Sequence, residues 1–218
     1  MPTSPFTPIT KDSIIWTPNV KALLTDGMIA LINKSPTLRA QLNKLGDEIG
    51  ALVPSAKEIA LVDISKVGAP TGSNYVASNN TLFIHPSDMQ AGIGTIFNAD
   101  ARFVGILAHE MGHRIDDVNL DNAANNFFGK AGQDERYASI LVHSEGVAAA
   151  NAYIVRKEIL QTGENNSGPE IYFPGAKYGP PDQDDVLEGL IRLDNTTASW
   201  DAPTRLEVFR EQLGSDSD

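Results

Sequence analysis

Two histidines four positions apart constrain this chain more than any other feature of it. In Gly105-Ile-Leu-Ala-His109-Glu110-Met-Gly-His113-Arg114, both imidazoles reach one ion if the backbone is helical, because such positions project from one face about a turn apart. Phe103, Val104, Ile106 and Leu107 lead into the motif as a buried helix, where uncompensated polar groups are costly. The spacing therefore predicts a zinc site with His109 and His113 as ligands. Glu110 lies between them, placed to take a proton from water that the metal acidifies. The plainer alternative is an amphipathic helix with two exposed histidines.

A hydrolytic zinc site usually takes three protein ligands and leaves one position for water. The chain has no cysteine, which removes thiolate ligands, disulfides, iron–sulfur clusters and cysteine nucleophiles together. Asn119 stands where a histidine would extend the motif, and Asp116 where that longer signature needs glycine. The best candidate for the third ligand is Glu145, in Val142-His143-Ser144-Glu145-Gly146-Val147-Ala148-Ala149-Ala150-Asn151-Ala152-Tyr153. Small residues beside it let two helix backbones approach, which brings a short carboxylate to the metal. His143 is the rival: a ligand, a hydrogen-bond donor to the transition state, or a surface histidine. Tyr153, Tyr172 and Tyr178 are further candidates for that donor. Asp116 and Asp117 lie within a turn of His113, as partners of the ligands or as helix-end residues.

Length and charge narrow the class. A chain of 218 residues that is 41% hydrophobic and 21% charged reads as one folded domain over 1–218. A net charge of -11 with no Lys/Arg stripe argues against nucleic acid as a partner. The start, MPTSPFTPITKDS, lacks a basic segment followed by an apolar run, and no stretch is long enough to span a bilayer. The expectation is a soluble protein made in the cytosol without a signal peptide. Action outside that compartment needs a dedicated secretion route.

The pattern along the chain predicts an α+β fold, mostly helical, with a small antiparallel sheet before the motif helix. Residues 1–12 read as an extended arm anchored by Phe6 and Ile9, and 215–218 as a frayed tail. Helices are expected over 20–33, 36–52, 101–118 (capped by Asn98 or Asp100) and 135–161, the last with a break near Gly146. Ile59–Ile64, Asn74–Ala77 and Thr81–His85 read as strands, with Ser78-Asn79-Asn80 a tight turn. Polar loops follow over 119–134 and 163–185, then short helices near 184–193 and 203–213.

His109-Glu110-Met-Gly-His113, followed by a helix bearing Glu145, resembles the gluzincin arrangement of zinc metallopeptidases. More narrowly, Glu145-Gly-Val-Ala-Ala-Ala-Asn-Ala-Tyr-Ile-Val-Arg156-Lys-Glu158-Ile is similar to the second helix of metallopeptidase domains carried by type VI secretion spike proteins and polymorphic bacterial toxins. The likeness covers roughly Ile59 to Leu160. It implies a zincin-like fold, a protein or peptide substrate, and delivery into target cells with a secretion spike or immunity protein as partner. It also implies that Thr81–His85 is an edge strand able to pair with an extended peptide. One position departs: where thermolysin-like members carry a carboxylate that orients a histidine, this chain has Ala149. The function expected is a zinc-dependent peptidase with Glu110 as general base. The alternatives are a cell-wall amidase on the same zinc site and an inactive metal-binding interaction module; a deformylase is disfavoured by the missing cysteine.

Overall fold

The computed structural model describes residues 7–51, 58–61, 72–76, 80–90, 97–117, 120, 125–127 and 129–174. Three helices open it: α1 (Pro18–Leu23), α2 (Asp26–Lys34) and α3 (Pro36–Gly50). Each starts on a hydroxyl cap, with Thr17, Thr25 and Ser35 accepting from the backbone N–H groups three residues on, those of Val20, Met28 and Leu38. The helix expected over 20–33 is thus two helices. The break has a tertiary cause: the Thr25 hydroxyl both caps α2 and donates to Asp100 Oδ1 at 2.7 Å, which holds Leu24 and Thr25 extended. Preceding α1, Ile9 is buried, and its N–H and C=O both pair with the Asn33 side chain at 2.8 Å, so this part of the N-terminal arm is fastened to α2.

Among the described residues the sheet has three strands, β1 (Ala60–Leu61), β2 (Asn74–Val76) and β3 (Thr81–Ile84), in the order β1-β3-β2. It is mixed, not antiparallel: β2 pairs antiparallel with β3, but β1 runs parallel to it, with Ala60 opposite Phe83. Thr81–Ile84 is consequently the central strand. Its backbone is occupied on both sides, so it cannot receive an extended peptide, and among the described residues β1 and β2 are the edges. Leu82 and Ile84 are fully buried beneath the helices.

A short helix α4 (Pro86–Met89) leads to the two helices that matter most, α5 (Ala99–Ile115) and α6 (Asp134–Leu160). Asn98 caps α5 by accepting from Ala101 N–H at 2.9 Å. α6 runs unbroken through Gly146, against the expected break, because Gly146 and the following Val147 to Tyr153 are all buried against neighbouring helices. Its Glu158 accepts hydrogen bonds from Ser35 Oγ, Thr37 N–H and Thr37 Oγ1, placing a carboxylate at the N-terminus of α3.

α5 and α6 touch through small residues. A Cβ on Gly112 would stand 2.4 Å from Ala148 Cα, closer than atoms of two backbones can come. Asn151 of α6 then donates to the Ala108 carbonyl at 2.6 Å and accepts from Gln41 at 2.7 Å, tying α3, α5 and α6 together. Gly112→Val should therefore force the helices apart and cost about 3 kcal/mol. A urea midpoint unchanged from wild type would contradict that contact.

Phe6, Val62–Ile64, Ala77–Asn79, Tyr178, the helices expected near 184–193 and 203–213 and the tail at 215–218 lie outside the described residues. Among the described residues no helix is long and apolar enough to cross a membrane.

Candidate metal centre

The crossing of α5 and α6 determines which side chains meet. Gly112 faces Ala148, so His113, next along α5, and Glu145, a turn before Ala148 on α6, flank the same contact; His109 sits one turn earlier on α5. His109 Nε2 lies 3.3 Å from one Glu145 oxygen and His113 Nε2 3.5 Å from the other. One ligand atom from each of the three residues lies within 4.8 Å of the others, so the triad could bind a metal ion. A tetrahedral ion with N and O ligands at about 2.0–2.1 Å sets those ligands roughly 3.3–3.4 Å apart. The two N-to-O separations are close to that, each to a different oxygen of the Glu145 carboxylate.

The charge state suits a cation as well. Burial, with the neighbouring His109 adding to it, pushes the His113 imidazole down to about 4, so it is neutral with a lone pair to offer at pH 7. The hydrogen bond with His109 holds the Glu145 carboxyl below the usual carboxylate range, and it stays ionised. His113 Nδ1 lies 2.9 Å from the hydroxyl of buried Ser144, which fixes the ring with Nε2 turned toward Glu145. Ser144 is the orienting group that the sequence did not single out. Ala149 is buried where thermolysin-like members carry a carboxylate, and among the described residues His109 Nδ1 is buried without a partner. Ser144→Ala should lower metal affinity about 10–100-fold, measured by competition with a chelator, while the fold stays intact. An unchanged affinity would remove Ser144 from the site.

Glu110 is not one of the three groups that could hold the ion, although it lines the same cavity as His109. It is 5% exposed, its carboxylate accepts the backbone N–H of Tyr75 in β2, and Oε2 is buried with no partner among the described residues. Burial raises its carboxyl to about 7, with nearby Glu145 pushing the same way and His109 opposing. The folded metal-free chain therefore holds a proton there that the unfolded chain releases above 4.5, so this group makes stability fall between pH 4.5 and about 7, then level off. Glu110→Gln removes the burdened ionisation. In chelator, the variant should exceed wild type by roughly 2–3 kcal/mol at pH 8 and show a much smaller gap at pH 5. Equal gaps at both pH values would refute a proton held at Glu110.

His143 stands two residues before Glu145 on α6, about 200° around the axis, so it points away from the triad. Its Nε2 is 3.9 Å from Asp116 Oδ1, and Asp116 in turn acts electrostatically on His113. Asp117 instead meets the Tyr75 hydroxyl, which also lies 2.9 Å from Asn80 Oδ1. Tyr153, one of the candidate donors, is a core packing residue. Tyr172 reaches the site by a different route. A Cβ on Gly105 would lie 1.8 Å from the Tyr172 carbonyl oxygen, so this glycine lets the irregular segment at Tyr172 pass directly over α5. Tyr172 there shares a cavity of about 270 Å³ with Ser73, Asp88, Arg102, His109 and Glu110.

One wall of that cavity is a hydrogen-bonded relay. Asp88 Oδ2 accepts from both the N–H and the hydroxyl of Ser73, and that hydroxyl oxygen accepts from His85 N–H at 2.8 Å. His85 Nδ1 accepts from Ser87 N–H at 3.2 Å, which completes a rigid connection from β3 into α4. None of Ser73, Asp88 or Arg102 carried a sequence signal, since each becomes meaningful only beside the others. Comparison with protein-family profiles, with curated proteins and with solved structures finds no match to this chain, so what the site can do rests on its own geometry.

Proposed function

We propose that the chain is a zinc-dependent peptidase of gluzincin type on a zincin-like fold, with His109, His113 and Glu145 as ligands and Glu110 as general base. The observation that carries this reading is the convergence of two imidazoles and one carboxylate beside a second, buried carboxylate whose Oε2 has no partner among the described residues. Zinc suits two nitrogen donors and one oxygen donor, and when bound there it acidifies water and polarises a carbonyl. Glu110, with a carboxyl near 7, is matched to accept a proton from water and return it to a departing amine at neutral pH. The β2 edge beside Glu110 and the cavity next to His109 give an extended chain somewhere to lie.

The substrate in this reading is a protein or peptide. A role as a delivered effector, with a secretion spike or immunity protein as partner, rests on the resemblance of α6 alone. Zinc-loaded protein should hydrolyse denatured protein, lose that activity to a chelator and regain it with added zinc. Release of muropeptide fragments from peptidoglycan without any proteolysis would overturn the peptidase assignment in favour of an amidase.

A further inference from the structure

We infer that the cavity beside His109 and Glu110 is a carboxylate-recognition pocket built on Arg102, so that the preferred peptide carries a carboxylate within two or three residues of the bond cleaved. The inference deepens the peptidase reading and rests on it for the word substrate. Arg102 projects from the first turns of α5, followed at helical spacing by Ile106, His109 and Glu110, all four lining the same cavity. Its guanidinium is held twice: Nε donates to the Asp88 carbonyl at 2.6 Å, and the plane lies over the Tyr172 ring at 4.4 Å from its centroid. Those two contacts fix the group's orientation and, among the described residues, leave its terminal nitrogens without a hydrogen-bond partner of their own, free to face the cavity.

Of the other arginines among the described residues, Arg114 is matched with Glu48 and Arg156 with Glu170, while Arg39 donates to the Asn33 carbonyl and Arg136 lies over the Phe127 ring, neither of them lining this cavity. Among the described residues no carboxylate stands within 4.0 Å of Arg102. Asp88, which lines the same cavity, gives it only a backbone oxygen, while the Asp88 carboxylate is taken up by Ser73. A planar fork held rigid and left unmatched in a half-enclosed space is suited to a carboxylate, which it can bind through two parallel hydrogen bonds. The rise from Arg102 to His109 is about 10 Å along α5. That corresponds to roughly three residues of extended peptide, which sets how near the recognised group lies to the reacting carbonyl. A larger cavity of about 620 Å³, between the segment around Ile14 and α3, offers no such fork.

The test is binding of three probes to the full chain, with zinc removed by chelator and again zinc-loaded: acetyl-Ala-Ala-Ala with a free C-terminal carboxylate, its C-terminal amide, and acetyl-Ala-Glu-Ala amide. Wild type should bind at least one carboxylate probe tenfold or more tightly than the neutral amide, with or without zinc. Whichever probe is preferred distinguishes a chain terminus from an acidic side chain. Arg102→Met should abolish the preference, and Arg102→Lys, which keeps charge but not the fork, should retain part of it; a folded Arg102→Lys with weakened discrimination suffices if Arg102→Met does not fold. Equal binding of all three by wild type, or a preference that survives Arg102→Met, overturns the pocket. Discrimination with no cleavage of any peptide upholds the pocket and defeats the peptidase reading, whereas cleavage without discrimination does the reverse.

Discussion

Glu110→Gln is expected to lower kcat for peptide hydrolysis about 10²–10⁴-fold while bound zinc stays at the wild-type level. The two halves of that expectation come from separate features of the site. Glu110 is one residue beyond His109 on α5, so its side chain leaves the helix about 100° around from that of His109; its carboxylate accepts the Tyr75 N–H and is near enough to His109 and Glu145 to feel their charge. Glutamine keeps the length and can still accept that hydrogen bond, so α5 and the ligands should remain in place. What it cannot do is take a proton. Elemental analysis beside steady-state kinetics separates the outcomes: zinc retained with activity gone supports a base, and zinc lost with activity would make Glu110 part of the metal's support. Activity fully retained would leave Glu110 no place in the chemistry.

The site was legible in the sequence to the extent that one helix and one composition bias could carry it. The spacing of His109 and His113 demanded a helix, and α5 supplies it. The run of small residues after Glu145 announced a close helix contact, and Gly112 against Ala148 is that contact, which is why a carboxylate distant in sequence arrives at the imidazoles. Strand direction was not legible. Alternation of apolar residues says which face of Ala60–Leu61 is covered but not whether it runs with or against Thr81–Ile84, and the parallel pairing moved the presumed edge strand to the centre. Local pattern also missed the break at Thr25, which depends on Asp100 across the fold, and overestimated Gly146, whose intrinsic cost in a helix is outweighed by burial. Ser144 and Arg102 lay in plain view, yet a serine inside a helix and an arginine near a helix start are ordinary residues until their neighbours in space are known. The helix over 36–52 was read nearly to its ends because proline and a hydroxyl cap mark its start locally.

Loss of the third ligand should be felt first in the metal. Structural zinc sites bind with about 10–16 kcal/mol over four ligands, or roughly 3–4 kcal/mol each, so Glu145→Ala should weaken zinc about 10²–10³-fold. His113→Ala should do at least as much, since it also strands Ser144. The comparison that gives this meaning is His143→Ala, two residues from Glu145 on the same helix but directed toward Asp116. If the triad is the metal centre, His143→Ala keeps its zinc through dialysis while Glu145→Ala does not, and both keep the helical far-UV signal because Glu145 is largely solvent-exposed and makes no core contact. Kinetics on the zinc-replete His143→Ala protein then report separately on that histidine, a drop in kcat at unchanged KM marking it as a donor to the developing oxyanion. Zinc bound equally by wild type and Glu145→Ala, or lost from His143→Ala instead, would move the ligand from one face of α6 to the other, and the crossing of Gly112 with Ala148 would no longer account for the site.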